Sequence, residues 1–264
     1  MLGGMGGPTR DGSAGDADYG VIGTGYARRR RPEPQIAAAV HRALGAARTV
    51  CNVGAGAGSY EPVGPAVVPV EPSATMRAQR PVGGADPVAA VAEALPFADD
   101  TFDAAMTTFS VHQWSDPGAG LSEMRRVARG AVAVLTCDPQ RLDRYWLAEY
   151  APEVIAVERS RYPGTDELAR ALGGTVTTRV VPIPLHCADG FNEAYYGRPE
   201  ALLDREARTS CSAWSFVDGS VHDRFTRDLR RDLDAGTWDR RHGRLRDQPF
   251  LDGSLVLVVS TPSA

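Results

Sequence analysis

The stretch from Val50 to Glu61, VCNVGAGAGSYE, constrains the fold most tightly, because an apolar run ends there in Gly54, Gly56 and Gly58 at alternate positions. Glycine has no Cβ, so the backbone can take positive φ in a tight turn and lie against a ligand that a side chain would displace. A strand that feeds such a turn is how open α/β sheets present nucleotide-type ligands at their strand ends.

Spacing narrows the ligand. The dinucleotide fingerprint GxGxxG sets its third glycine ahead of a long helix whose N-terminus seats a pyrophosphate. Here Ser59 stands at that place, and Tyr60-Glu61-Pro62-Val63-Gly64-Pro65 leaves room for little more than one helical turn before the next apolar run, Ala66 to Val70. Glu71 closes that second strand, followed by Pro72 and Ser73, which puts a carboxylate where ribose hydroxyls are bridged. The pattern fits an adenosine ligand without phosphates.

Further motifs follow in order: Met76, the run Ala92-Glu93-Ala94-Leu95-Pro96-Phe97, and the block from Phe102-Asp103-Ala104-Ala105 to His112-Gln113-Trp114. In order and spacing, over roughly Tyr19 to Asp138, the chain resembles the class I S-adenosylmethionine-dependent methyltransferases. It is most similar to the ubiquinone/menaquinone-biosynthesis-like branch, which includes small-molecule enzymes of actinobacteria. The resemblance implies a Rossmann-like α/β fold: a seven-stranded, mostly parallel sheet, helices on both faces, and a helical cap inserted between the last two strands.

It also implies S-adenosyl-L-methionine as cofactor and S-adenosyl-L-homocysteine as product. Gly54, Ala55 and Gly56 then lie against the methionine and ribose, and Glu71, with Pro72 beside it, bonds the ribose. Ser73 and Met76 border the adenine, Ala92 and Glu93 meet its edge, and Phe109 and Ser110 face the methionyl group. Tyr26 and Arg31, just ahead of the first helix, fold over the cofactor, with Tyr26 also reaching the substrate.

Composition bounds the alternatives. A chain of 264 residues suits one domain with a large core, and its 43% hydrophobic and 23% charged content is ordinary for a globular protein. A net charge of -4 makes no case for nucleic acid as a partner. The sequence contains no lysine, which excludes Schiff-base chemistry on lysine and a phosphate-loop lysine. Cys51, Cys137, Cys187 and Cys211 form no CxxC pair, so neither a metal site nor a disulfide framework is expected. Without a signal-peptide core or a membrane-length apolar run, the expected location is the cytoplasm, with the oligomeric state, monomer or homodimer, left open.

Residues 1–18 read as a disordered tail, 19–183 with 251–264 as the cofactor-binding core, and 184–250 as the substrate cap. The spacing predicts a helix from Pro34 to near Gly45 and strands at Arg48–Val53, Ala66–Val70, Val88–Val91, Phe102–Thr108 and Ala131–Thr136. Asp116-Pro117 starts a helix, Leu142–Val157 and Thr165–Leu172 are helices, and Val176–Ile183 and Ser254–Ser260 are the final strands.

Attack on a sulfonium methyl needs in-line placement and exclusion of water, and a base only where the nucleophile starts protonated. His112, at the rim after the fourth strand, is the candidate base. Trp114, Tyr145, His186, Tyr195 and Tyr196 are candidate contacts for a small substrate. The resulting expectation is methyl transfer to an aromatic or heteroaromatic acceptor, indole- or quinone-like, in specialised metabolism. Carbon methylation stands slightly ahead of an amine or phenol. Two other classes stay open: an NAD(P)-dependent oxidoreductase, opposed by the glycine spacing, and a non-catalytic adenosine-sensing module, opposed by the large cap.

Overall fold

The computed structural model describes residues 29–263. The tail assigned to 1–18 and Tyr26 lie outside the described residues. Helix α1 (Pro34–Ala43) opens at Glu33, whose carboxylate accepts a hydrogen bond from the Gln35 amide, and buries Ile36, Ala39 and Val40 along one face. There follow β1 (Thr49–Val53), β2 (Ala66–Val70), α2 (Ala74–Arg77), β3 (Ala104–Thr108), α3 (Pro117–Val127), β4 (Val132–Cys137), α4 (Leu147–Tyr150), α5 (Pro152–Arg161) and α6 (Thr165–Leu172). The rest comprises β5 (Thr175–Val180), β6 (Ile183–Pro184), α7 (Arg205–Thr209), α8 (Gly219–Asp234), α9 (Thr237–His242), β7 (Phe250–Leu251) and β8 (Leu255–Thr261), with short 3₁₀ turns between them.

The main sheet has six strands in the order β2-β1-β3-β4-β8-β5. The β1–β2, β1–β3 and β3–β4 pairs are parallel, whereas β8 runs antiparallel to both β4 and β5. This is the expected mostly parallel Rossmann-like sheet with one strand fewer. Val88–Val91 contributes a single bridge, Val88 to Val70. Ala90 N then donates to Val88 O at 3.1 Å, turning the chain away. On the neighbouring strand the groups that would continue the ladder are already engaged: Glu71 O accepts from Arg77 Nη1 and Ser73 N donates to Glu71 Oε1, both at 2.8 Å.

Alternation along the strands divides the core in two. Val50, Ala104, Met106, Ala133, Leu135, Leu255 and Leu257 enter one apolar cluster, whereas Cys51, Ala105, Val132, Val134, Val256 and Val258 enter the other. Period-2 side chains that are apolar on both faces require cover on both faces. Leu121 and Met124 of α3 and Leu168 and Leu172 of α6 cover one, while α1 and the residues between β5 and β8 cover the other. The helix expected over Leu142–Val157 is broken into a 3₁₀ turn, α4 and α5. Pro152 disfavours a helical residue before it, and Ala151 accordingly adopts φ -141°, ψ 63°.

Asp103 fastens the starts of β1 and β3. Its Oδ2 accepts from the amides of Arg48 (2.8 Å) and Thr49 (3.0 Å), and Oδ1 accepts from Arg129 Nη2 at 2.6 Å. The bond from Arg129, with those two amides, holds the carboxyl well below the usual range. A depressed folded-state pKa stabilises above the unfolded value and is lost as pH falls. Thermal denaturation should show wild type losing more melting temperature than Asp103→Asn on acidification below about pH 4, the ordinary carboxylate range.

Candidate active site

Three parallel strands ending at one sheet edge build the site. β1 ends at Val53 and gives way to Gly54 and Gly56, with φ of +67° and +51°. Ala55 N donates to Val70 O at 3.0 Å, tying the glycine turn to the end of β2. Glu71, next after β2, is 7% exposed. Its Oε2 accepts from Gly56 N and its Oε1 from Ser73 N, both at 2.8 Å. The carboxylate is thereby fixed beside the turn. No helix forms between Gly54 and Ala66.

β3 ends at Thr108 and is followed by Phe109, at φ +51°, a left-handed conformation uncommon outside glycine. The chain continues into the 3₁₀ turn Val111–Gln113, and Trp114 Nε1 donates to Ser110 Oγ at 3.0 Å. A Cβ at Gly120 would stand 2.5 Å from the Trp114 ring, so α3 approaches that ring as only glycine allows.

Together these segments line a cleft that is partly open to solvent. Of the residues singled out in the sequence, Gly54, Ala55, Gly56, Glu71, Pro72, Met76, Ala92, Phe109, Ser110 and Trp114 line it. Ser73 and Glu93 stand behind that lining: Ser73 Oγ caps α2 by accepting from Met76 N at 3.2 Å, and Glu93 accepts from Asp116 N at 3.0 Å. Tyr26 is not among the described residues, and Arg31 is exposed and lines no part of the cleft. Its neighbour Arg30 does line it, 5.0 Å over the Phe109 ring and with Nε donating to Asp189 Oδ1 at 2.5 Å. Tyr60 donates to the other oxygen of Asp189 at 2.8 Å. Sequence reasoning did not assign Tyr60 and Asp189 to the site; they lie 129 positions apart and meet only through the fold.

Arg30, Phe109 and Gln113 also line a second, inner chamber. His112 belongs to it, with Glu158 and Tyr162 from α5 and its end, and Asn192, Glu193 and Cys211 from the segment between β5 and β8. His112 is 9% exposed, its ring lies 4.4 Å from that of Tyr162, and its Nδ1 has no hydrogen-bond partner among the described residues. Burial, then Arg161 and Arg30, push its imidazole well below the usual histidine range, so it is neutral at physiological pH.

The remaining substrate candidates lie elsewhere. Tyr145 is buried, with its hydroxyl donating to Asn192 O at 2.9 Å; Tyr196 is buried, with its hydroxyl donating to Gln248 O at 2.6 Å. Tyr195 is buried under Arg198, and His186 is exposed; none of these four lines either chamber. Adjacent aromatics in this segment are packing residues, because apolar area drives them into the cluster beneath the insertion.

A parallel sheet with an antiparallel β8, a glycine turn after β1 and an acidic residue after β2 define the class I methyltransferase fold. Residues 50–135, about a third of the chain, match the model of the methyltransferase domain family. A crystal structure of a protein from Anabaena variabilis, described as a putative methyltransferase from an antibiotic biosynthesis pathway, superimposes with a TM-score of 0.83 at 26% identity, covering 89% of this chain and 99% of that one. Demethylmenaquinone methyltransferase of Corynebacterium kroppenstedtii is 37% identical over 78 residues, which are 30% of this chain and 28% of that protein. The uncharacterized protein YafE of Escherichia coli is 40% identical over 47 residues, which are 18% of this chain and 23% of that protein. The matched segments thus span about a quarter of each curated relative. Among the described residues no helix is long and apolar enough to cross a membrane.

Proposed function

We propose that the protein transfers a methyl group from S-adenosyl-L-methionine to a small organic acceptor held in the inner chamber. The observation that carries this reading is the wall shared by the two chambers at Phe109, Gln113 and Arg30, which leaves two ligands facing each other across one boundary. The residues present suit the cofactor. A Cβ at Gly54 would fill the cradle, and Glu71, held by its two amide bonds, lines the cleft with a carboxylate suited to ribose hydroxyls. Gly54, Ala55 and Gly56 would contact the methionine and ribose portion, Met76 and Ala92 the adenine, and Phe109, Ser110 and Trp114 the methionyl side.

When bound, the cofactor supplies an activated methyl on a positive sulfur. The chain's own work is to align the acceptor, exclude water and receive a proton where the acceptor starts with one. Phe109, Phe191 and Tyr162 offer ring faces to an aromatic or heteroaromatic acceptor, whereas the glutamates, Asn192 and His112 favour one that also carries a polar hydrogen. That lining moves the balance from carbon methylation toward nitrogen or oxygen. Specialised metabolism is supported by the description of the Anabaena relative. The four cysteines, all free and buried, suit a cytoplasmic protein.

The absent helix between Gly54 and Ala66 counts against a dinucleotide-dependent oxidoreductase, since a pyrophosphate has no helix N-terminus to rest on. The inner chamber counts against a sensor of adenosine alone. Calorimetry should show S-adenosylhomocysteine binding and NADH not binding; the reverse result overturns the assignment.

A further inference from the structure

Within the inner chamber, Glu158 of α5 accepts a hydrogen bond on Oε1 from Asn192 Nδ2 at 2.7 Å. Asn192 is held in turn, its Oδ1 accepting from Trp214 Nε1 at 3.0 Å and its carbonyl accepting from the Tyr145 hydroxyl at 2.9 Å. The chamber's other carboxylate, Glu193, is committed to the chain: the amide of Ser254 donates to it at 2.9 Å and the hydroxyl at 2.7 Å. Glu158 is differently placed. A carboxylate has about four lone-pair positions, and Asn192 uses one.

Resting on the methyltransferase reading, we propose that Glu158 grips the acceptor by an N–H or O–H and takes that proton during transfer, so that the acceptor is a nitrogen or oxygen nucleophile. The bookkeeping of the step closes. The acceptor's lone pair forms the bond to the methyl carbon, the carbon–sulfur bond breaks with its pair passing to sulfur, and the acceptor's proton goes to the Glu158 carboxylate. Product release then returns that proton to water.

Charge in the chamber supports the assignment. Burial pushes the Glu158 carboxyl up to about 7 and Glu193 adds to this, against the Asn192 hydrogen bond and the charges of Arg161 and Arg30. A base whose pKa lies near working pH is the efficient one. The other groups facing it hold one protonation state there. Burial raises Tyr145 and Tyr162 and likewise the thiols of Cys137 and Cys211, keeping all four protonated, and it keeps His112 neutral. Proton acceptance at His112, expected from the sequence, thus passes to Glu158 in this proposal.

The test uses Glu158→Gln, whose amide oxygen can still accept from Asn192. A carboxyl raised in the folded state destabilises as pH climbs through its folded value. The melting temperature of the variant relative to wild type should therefore be higher at about pH 8 than at about pH 5, on either side of the raised value. Turnover with labelled S-adenosylmethionine would then be measured on benzylamine, imidazole, phenol and, as a carbon nucleophile without N–H, N-methylindole. The expected result is methylation of the amine or phenol probes with kcat rising through about pH 7. In the variant kcat should be at least ~100-fold lower, without that pH rise, and S-adenosylhomocysteine affinity should be unchanged. A melting difference independent of pH, or full turnover by the variant, overturns the proposal. Loss of S-adenosylhomocysteine binding by wild type would instead sink the cofactor assignment, so the two failures are distinct.

Discussion

Gly54→Ala should weaken S-adenosylhomocysteine binding by on the order of 100-fold or more, measured by calorimetry. Two effects act at this position, and their sizes differ. Holding a non-glycine residue at φ +67° costs about 1–2 kcal/mol, which a folded domain can absorb. Steric overlap is the larger effect: the new Cβ would stand 1.9 Å from Ser110 Oγ and 2.7 Å from Ser110 Cβ. Ser110 must then move, which breaks the bond from Trp114 Nε1 and disturbs the lining where the cofactor is proposed to sit. Pairing Gly54→Ala with Ser110→Gly removes the obstructing atoms and should restore part of the affinity, leaving the backbone strain alone. If Gly54→Ala binds within threefold of wild type, the glycine turn is not the cradle.

Glu71→Gln should weaken the same ligand comparably, by roughly 100-fold, although the substitution is nearly isosteric. Both carboxylate oxygens accept from backbone amides, Gly56 N and Ser73 N, at 2.8 Å each. A glutamine has only one acceptor oxygen, so its NH₂ group must oppose one of those donors. The turn and the start of α2 then lose their common anchor, and the ribose loses a charged acceptor, each such bond being worth about 1.5–3 kcal/mol. Calorimetry with S-adenosylhomocysteine against adenine alone separates the contributions. A loss confined to the whole ligand marks the ribose contact, whereas equal loss for both marks collapse of the turn. Undiminished affinity for both would remove Glu71 from the site.

Local pattern carried the cofactor cleft. Strand, glycine turn and acidic strand end occupy positions 50–71, so spacing alone could bring Gly54, Gly56 and Glu71 to one edge. The same holds for α3, whose Asp116 cap and Pro117 start are neighbours in the chain, and for β2, whose bounds match the apolar run. Where local pattern failed, a competing constraint from outside the segment prevailed. Val88–Val91 has the apolar character of a strand but finds only one bridge on β2, and Leu142–Val157 has helical spacing interrupted by Pro152.

The acceptor chamber belongs to the second kind of information. Glu158 lies in a helix without a motif, Asn192 follows it by 34 positions, and His112 precedes both. Nothing in their spacing distinguishes a half-buried glutamate that lines a pocket from a solvated one. Likewise, Arg30 rather than Arg31 reaches the cleft because Asp189, 159 positions away, accepts its guanidinium. The sequence by itself determined the class of fold and the turn that defines the cofactor cleft, since both depend on residues close enough in the chain for backbone geometry to relate them. Tertiary structure alone decided which polar groups meet in the chamber beside it, because burial and charge pairing arise only when distant segments close over one another.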